Sequence, residues 1–240
     1  MRCAKFLFVA VCITFATSVT GSSQSLNGVG RDHGLVPNVV TLHELNHRIP
    51  SKAEREFDRA WKARKKGQYE TAILAFQSAI AIDPEFCAAR NDLATSYLLA
   101  GQFDLAIEQF HKALEVDPNI SGLYSNLSLA YLKQHRYYEA EYAARQSLVT
   151  ANGDPHGHYV LGMSLVAQSK FTPEAEDHLK RAEPAYPQAN LWLAVGYMNR
   201  GKTDIARTHF VTYLATADKQ SQVVASSIMQ ELEANLRKGL

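Results

Sequence analysis

The sequence predicts an all-α solenoid of stacked helix-turn-helix hairpins. One observation is a period of 34 residues: Lys66-Gly67-Gln68-Tyr69 recurs as Ala100-Gly101-Gln102-Phe103, and Tyr69, Phe103 and Tyr137 keep the same interval. Ala72, Ala106 and Ala140 keep it too, as do Phe76 and Phe110, Ala79 and Ala113, and Asp83-Pro84 and Asp117-Pro118. A second observation is the spacing inside one period. Leu93, Ala94, Tyr97 and Leu98 form one stripe at helical intervals, Gly101 interrupts it, and Phe103, Ala106, Ile107, Phe110, Ala113 and Leu114 form another. A fixed period of this length marks identical supersecondary units that bury their apolar faces only by stacking.

The elements follow in chain order. Arg2 and Lys5 precede the apolar run from Phe6 to Ala16, and small or polar residues follow from Thr17 to Ser25. This is the layout of a secretory signal peptide, assigned to residues 1–20 with cleavage between Ala16 and Ser23; an uncleaved membrane anchor is the alternative. Val11 is a poor residue before a lipidation cysteine at Cys12. Cleavage would remove Cys3 and Cys12 and leave Cys87 alone, so the mature chain would form no internal disulfide. Cys87 opens a helix and reads as a small apolar packing residue.

Residues 21–50 read as a leader or linker. Their first part, 21–34, is rich in Gly, Ser and polar residues. Their second part, 35–50, carries Val39, Val40, Leu42 and Leu45 and is apolar enough to dock on the first hairpin, either as a cap or as a plug that a partner displaces. The array itself occupies 51–218 as about five hairpins, 53–86, 87–120, 121–154, 155–186 and 187–218. In each, glycine or its substitute ends the first helix, and a proline such as Pro84 or Pro118 stops the second. Arg59 stands where the first unit should have an apolar residue, His135 replaces the turn glycine of the third, and Asn152 stands where its proline is expected. The fourth unit fits if one residue is inserted near Thr172-Pro173, and the fifth is shifted in phase across 183–187. Residues 219–238 read as a helix that caps the last apolar face.

These residues resemble the tetratricopeptide repeat (TPR) family. Residues 87–118 carry its pattern at Leu93-Ala94, Tyr97, Gly101, Phe103, Ala106, Phe110, Ala113 and Pro118. The resemblance covers roughly residues 53–218 and implies a right-handed superhelix whose first helices line a concave groove for a protein or peptide partner. Mapped residue by residue, the groove positions include Trp61, Arg64 and Lys65 in the first unit, then Asn91, Thr95, Leu98 and Leu99. They continue through Ser125, Asn126, Leu129, Leu132 and Lys133, then Tyr159 and Met163, and end at Leu191, Trp192, Val195 and Met198. The carboxylate clamp of some relatives corresponds to Phe57, Trp61, Asp92, Gly122 and Asn126, and only Asn126 fits it. The competing expectation is that several of these residues, Leu98, Leu132 and Val195 first, pack between helices instead.

Catalytic and other ligand-binding classes find little purchase. The string His43-Glu44-Leu45-Asn46-His47 is a literal H-E-x-x-H, the zinc and general-base motif of metalloproteases. It lacks a third ligand on a supporting scaffold, and Pro50 ends any helix three residues after His47. His156-Gly157-His158 sits at a helix start and reads as turn residues. No phosphate loop, nucleophile motif or paired-cysteine site is present, and a net charge of +1 with no basic stripe argues against nucleic acid. The reading is an exported, non-catalytic scaffold with no cofactor and no bound metal, whose membrane contact would be limited to an uncleaved N-terminal segment. A small zinc metalloprotease centred on His43 and His47, or a structural subunit of an envelope assembly, are the competing classes.

Overall fold

The computed structural model describes residues 47–216, and among these every regular element is an α-helix. Ten helices form five consecutive hairpins: α1 (Ser51–Lys65) with α2 (Tyr69–Ile82), α3 (Cys87–Leu99) with α4 (Phe103–Val116), α5 (Ser121–Lys133) with α6 (Tyr137–Thr150), α7 (Pro155–Ala167) with α8 (Pro173–Ala182), and α9 (Ala189–Asn199) with α10 (Thr203–Thr216). They belong to two compact units, residues 47–157 and 158–216. The expected signal peptide at 1–20, residues 21–46 of the leader and the helix at 219–238 lie outside the described residues.

In the first unit each helix from α1 to α6 packs on the next along the chain. Ala60, Ala72, Ala79, Ala89, Ala94, Ala106 and Ala113 are wholly buried, which lets helix backbones approach closely. Phe76 and Phe110 fill the spaces left between them and are also wholly buried. Each such ring contributes about 2–3 kcal/mol by leaving water. Phe57 packs edge-on against Phe76, with ring centroids 5.5 Å apart, and tilts against Phe86 at 4.9 Å. Cys87 is part of this core, its thiol 3.6 Å from the Ala113 carbonyl.

The turns share one geometry. In α1–α2 the amide of Gly67 donates to Arg64 O (2.9 Å) and that of Gln68 to Ala63 O (3.1 Å). The same pair of bonds closes the turns at Gly101, His135, Ser169 and Gly201. This Schellman arrangement needs one left-handed residue. Gly67, Gly101 and Gly201 supply it at φ 72°, 76° and 74°, while His135 at 59° and Ser169 at 61° adopt it despite a side chain. The fourth turn then continues through Phe171 and Thr172 before α8 begins at Pro173, with the Thr172 hydroxyl accepting from the Ala175 amide at 3.3 Å. A cap and a proline at the first helical position start α8 later than the repeat alone would.

Buried aspartates link successive hairpins. Asp83, Asp117 and Asp154 each accept, through Oδ1, the backbone N–H two residues on: Glu85 at 3.2 Å, Asn119 at 2.9 Å and His156 at 3.0 Å. The third unit, where Asn152 replaces the expected proline, therefore keeps the same Asx turn at Asp154. In the second unit, Gly162 and Gly196 allow close packing. A Cβ on Gly162 would sit 2.5 Å from the Leu179 side chain, and one on Gly196 would sit 2.3 Å from the Phe171 ring.

Candidate functional site

In the first unit the expected groove positions on α1, α3 and α5 are joined by side-chain bonds. Asn126 of α5 donates through Nδ2 to Asn91 Oδ1 of α3 at 3.1 Å, and Thr95 donates to the Asn91 carbonyl at 2.9 Å. Arg64 of α1 donates to Asp92 Oδ1 of α3 at 3.0 Å. Asp92 is 1% exposed and Arg64 14%. A buried carboxylate of this kind requires its cation, so Arg64 is committed to the helix interface rather than open to a partner. One residue further back on α5, Ser125 meets His156 Nδ1 at 3.0 Å. Burial lowers the pKa of the His156 imidazole and keeps it neutral.

Around this polar strip the side chains are only partly covered. Trp61, Thr95, Asn126 and Leu129 are half-buried, whereas Asn91 is wholly buried beneath Asn126. The Trp61 ring lies under two cations, Lys65 Nζ at 4.1 Å and the Arg64 guanidinium at 5.2 Å. Its indole N–H finds no acceptor among the described residues. A half-exposed ring and an amide with an unspent acceptor suit an extended peptide, which brings both backbone groups and side chains.

The second unit departs from expectation. Tyr159, Met163 and Trp192 were expected to face the groove, yet they are 5%, 1% and 1% exposed and are core residues in this structure. Of the six positions placed there, Met198 alone is half-buried. The reason is the composition of α7 and α9. All residues from Gly157 to Ala167 and from Ala189 to Tyr197 are buried, and a helix that is apolar on every side is enclosed. Tyr159 stacks on Tyr186 with ring centroids 5.1 Å apart, and burial raises its hydroxyl pKa well above the usual range. Leu132 and Val195 are buried as well, in line with packing between helices, while Leu98 stays half-buried.

Residues 63–127 match the tetratricopeptide repeat family. Over those residues the chain carries tetratricopeptide repeats. Solved structures with the same fold include the thermophilic TPR protein TTC0263 of Thermus thermophilus, at TM-score 0.63 and 21% identity over 74% of this chain and 99% of that one. PilF of Pseudomonas aeruginosa aligns at TM-score 0.62 and 18% identity, covering 76% and 85%. MamA aligns at TM-score 0.57 and 21% identity, covering 69% and 91%. No curated protein matches the sequence.

The H-E-x-x-H string is divided: His43 and Glu44 lie outside the described residues, and His47 lies within them. His47 places Nε2 2.8 Å from Asp83 Oδ2 and Nδ1 3.4 Å from Glu85 Oε2, so both ring nitrogens face carboxylates of the first hairpin's end. That engagement fastens residue 47 to the turn after α2. Among the described residues no cluster of three potential metal ligands occurs, and no helix is long and apolar enough to cross a membrane.

Proposed function

We propose that this protein is an exported, non-catalytic scaffold that holds an extended segment of a partner protein along α1, α3 and α5. The observation that carries the reading is the Asn91–Asn126 bond between neighbouring first helices, with Trp61, Thr95 and Leu129 half-exposed around it. The buried Asn91 fixes the Asn126 amide, leaving that amide's carbonyl to accept from a peptide backbone while Trp61 and Leu129 receive side chains. TPR arrays generally serve as non-catalytic interaction scaffolds, and that supports the non-catalytic reading. Export rests on the charged, apolar and small-residue order of positions 2–25.

A photo-crosslinking residue placed at Leu129 in the native host tests the reading. A discrete adduct is expected from Leu129, weakened by Asn126→Ala, and none from the same crosslinker at Val149, which is 79% exposed outside the strip. Equal adducts from both positions, or an Asn126→Ala chain that crosslinks as well as the natural one, would overturn it. Export is checked separately, by fractionating cells and sequencing the N-terminus of the mature chain.

A further inference from the structure

The geometry points to a second binding site in the first unit, where a cleft between α4, α5 and α6 takes an arginine- or lysine-bearing peptide segment of a partner protein. The cleft holds about 560 Å³ and is walled by Tyr124, Tyr131, Tyr138 and Tyr142, with Glu115 at its edge. Tyr138 and Tyr142 are 72% and 67% exposed. They lie four residues apart on α6 and so share one helix face.

The repeat supplies its own control. One period earlier, the places of Tyr124, Tyr138 and Tyr142 are held by Arg90, Asp104 and Glu108. Arg90 there bonds the Pro84 carbonyl at 2.8 Å, which is ordinary stitching between hairpins. By contrast, one element of the cleft is common to both periods: His111 meets the Tyr131 hydroxyl at 3.0 Å where Gln77 meets that of Tyr97 at 2.8 Å. The preceding period folds with none of the three further tyrosines, two of which lie largely in water. Exposed large rings clustered on one face mark contact surfaces.

Charge decides the occupant. Glu139 in the cleft is already held by Arg136 at 3.0 Å, whereas Glu115 is exposed and forms no ion pair among the described residues. The charge left unbalanced is thus negative and sits beside tyrosine faces, which attract a guanidinium or ammonium group through their ring quadrupoles. The residues of this cleft are distinct from Thr95 and Asn126, so the two sites can be disabled separately.

The test is titration of the full-length chain, with tyrosine rings labelled for NMR, by an acetylated, amidated peptide of alternating proline and arginine, and by its norleucine and glutamate counterparts. Saturable shifts of the Tyr138 and Tyr142 rings are expected with the arginine peptide. Roughly threefold or more weaker binding is expected for norleucine, for Glu115→Gln and for Tyr142→Ser, with no binding of the glutamate peptide. Asn126→Ala should leave the affinity unchanged. Equal binding of the norleucine or glutamate peptide, insensitivity to Glu115→Gln and Tyr142→Ser together, or no saturable binding into the millimolar range would each overturn the proposal. So would self-association of the chain that Tyr142→Ser abolishes, which would put a second copy in the cleft. Tyr142→Ser removes an exposed ring, and an unchanged circular dichroism spectrum verifies that it folds.

Discussion

Arg59 of α1 and Leu93 of α3 occupy the same position of successive repeats, yet the Arg59 side chain is 68% exposed and Leu93 is 3% exposed. The neighbours on that face follow suit: Arg55 and Lys62 are exposed where Ala89 and Ser96 are wholly buried. In α3 this face is the one that stacks on the preceding hairpin. In α1 the same face is charged, which is how a repeat array is ended without leaving a sticky surface. Arg59 is therefore no irregularity of the first unit but the mark of its terminal place.

Leu93→Arg should cost at least about 3 kcal/mol, because a guanidinium would enter a stacking interface with no partner for it. Arg59→Leu should change stability by no more than about 0.5 kcal/mol. Combined with Lys62→Ser, it should raise the sedimentation-velocity mass as concentration increases, since the end face then matches the interior one. A double variant whose mass stays that of the natural chain at every concentration would refute the capping role.

Ser169 and His135 hold left-handed conformations that glycine adopts freely, at a cost of roughly 1 kcal/mol each. Ser169→Gly should raise the unfolding free energy by about that amount. His135→Gly should gain less, because His135 Nδ1 lies 2.9 Å from the Tyr137 hydroxyl and that contact would be lost. Urea midpoints with unchanged m-values check both, and a destabilised Ser169→Gly would contradict the strain argument.

Much of this was legible from spacing. The interval of 34 residues located the hairpins because Gly67, Gly101 and Phe103 sit where backbone geometry and core volume tolerate little else. Departures from the pattern were visible but not their consequences. His135 could be seen to replace a glycine, yet only the backbone shows it keeping glycine's conformation. Groove surface was expected on α3 and α5, where Asn91, Thr95 and Asn126 interrupt the apolar pattern; Thr95 and Asn126 are half-exposed there and Asn91 is buried. It was read poorly on α7 and α9, where apolar residues on all sides give no sign of which face is open, so Tyr159, Met163 and Trp192 turned out to be core. The tyrosine cleft escaped notice because its members come from three helices, though comparing Tyr138 and Tyr142 with Asp104 and Glu108 one period earlier would have exposed it.

Gly196→Ala should be strongly destabilising, by about 2–3 kcal/mol, because its Cβ would lie 2.3 Å from the Phe171 ring. Phe171 is buried and meets Tyr197 edge-on with centroids 5.0 Å apart, so the ring has little room to retreat. Phe171→Leu alone should also destabilise, but the pair Gly196→Ala with Phe171→Leu should be less damaging than the sum. A double-mutant cycle in thermal or urea unfolding measures that coupling, and simple additivity would show that the two residues are not in conflict.

Lys133 gives the clearest dependence on pH. It ends α5, and burial lowers its pKa from 10.5 to about 8. The unfolded chain holds this proton until about pH 10.4, whereas the folded chain releases it near 8. Between those values the unfolded state binds more protons, so this group makes stability rise with pH across the window. Below it both states are charged, the slope vanishes, and the folded state carries the cost of a partly desolvated ammonium. Lys133→Met should therefore remove that rise, and the difference in unfolding free energy between it and the natural chain should shift in favour of the natural chain as pH is raised from about 7 to about 10. Urea unfolding of both chains at several pH values measures the difference directly, and competitive acetylation should find the Lys133 amine more reactive at pH 8 than exposed lysines such as Lys62. A difference that stays constant over the whole range would mean that the Lys133 ammonium is solvated in the folded chain.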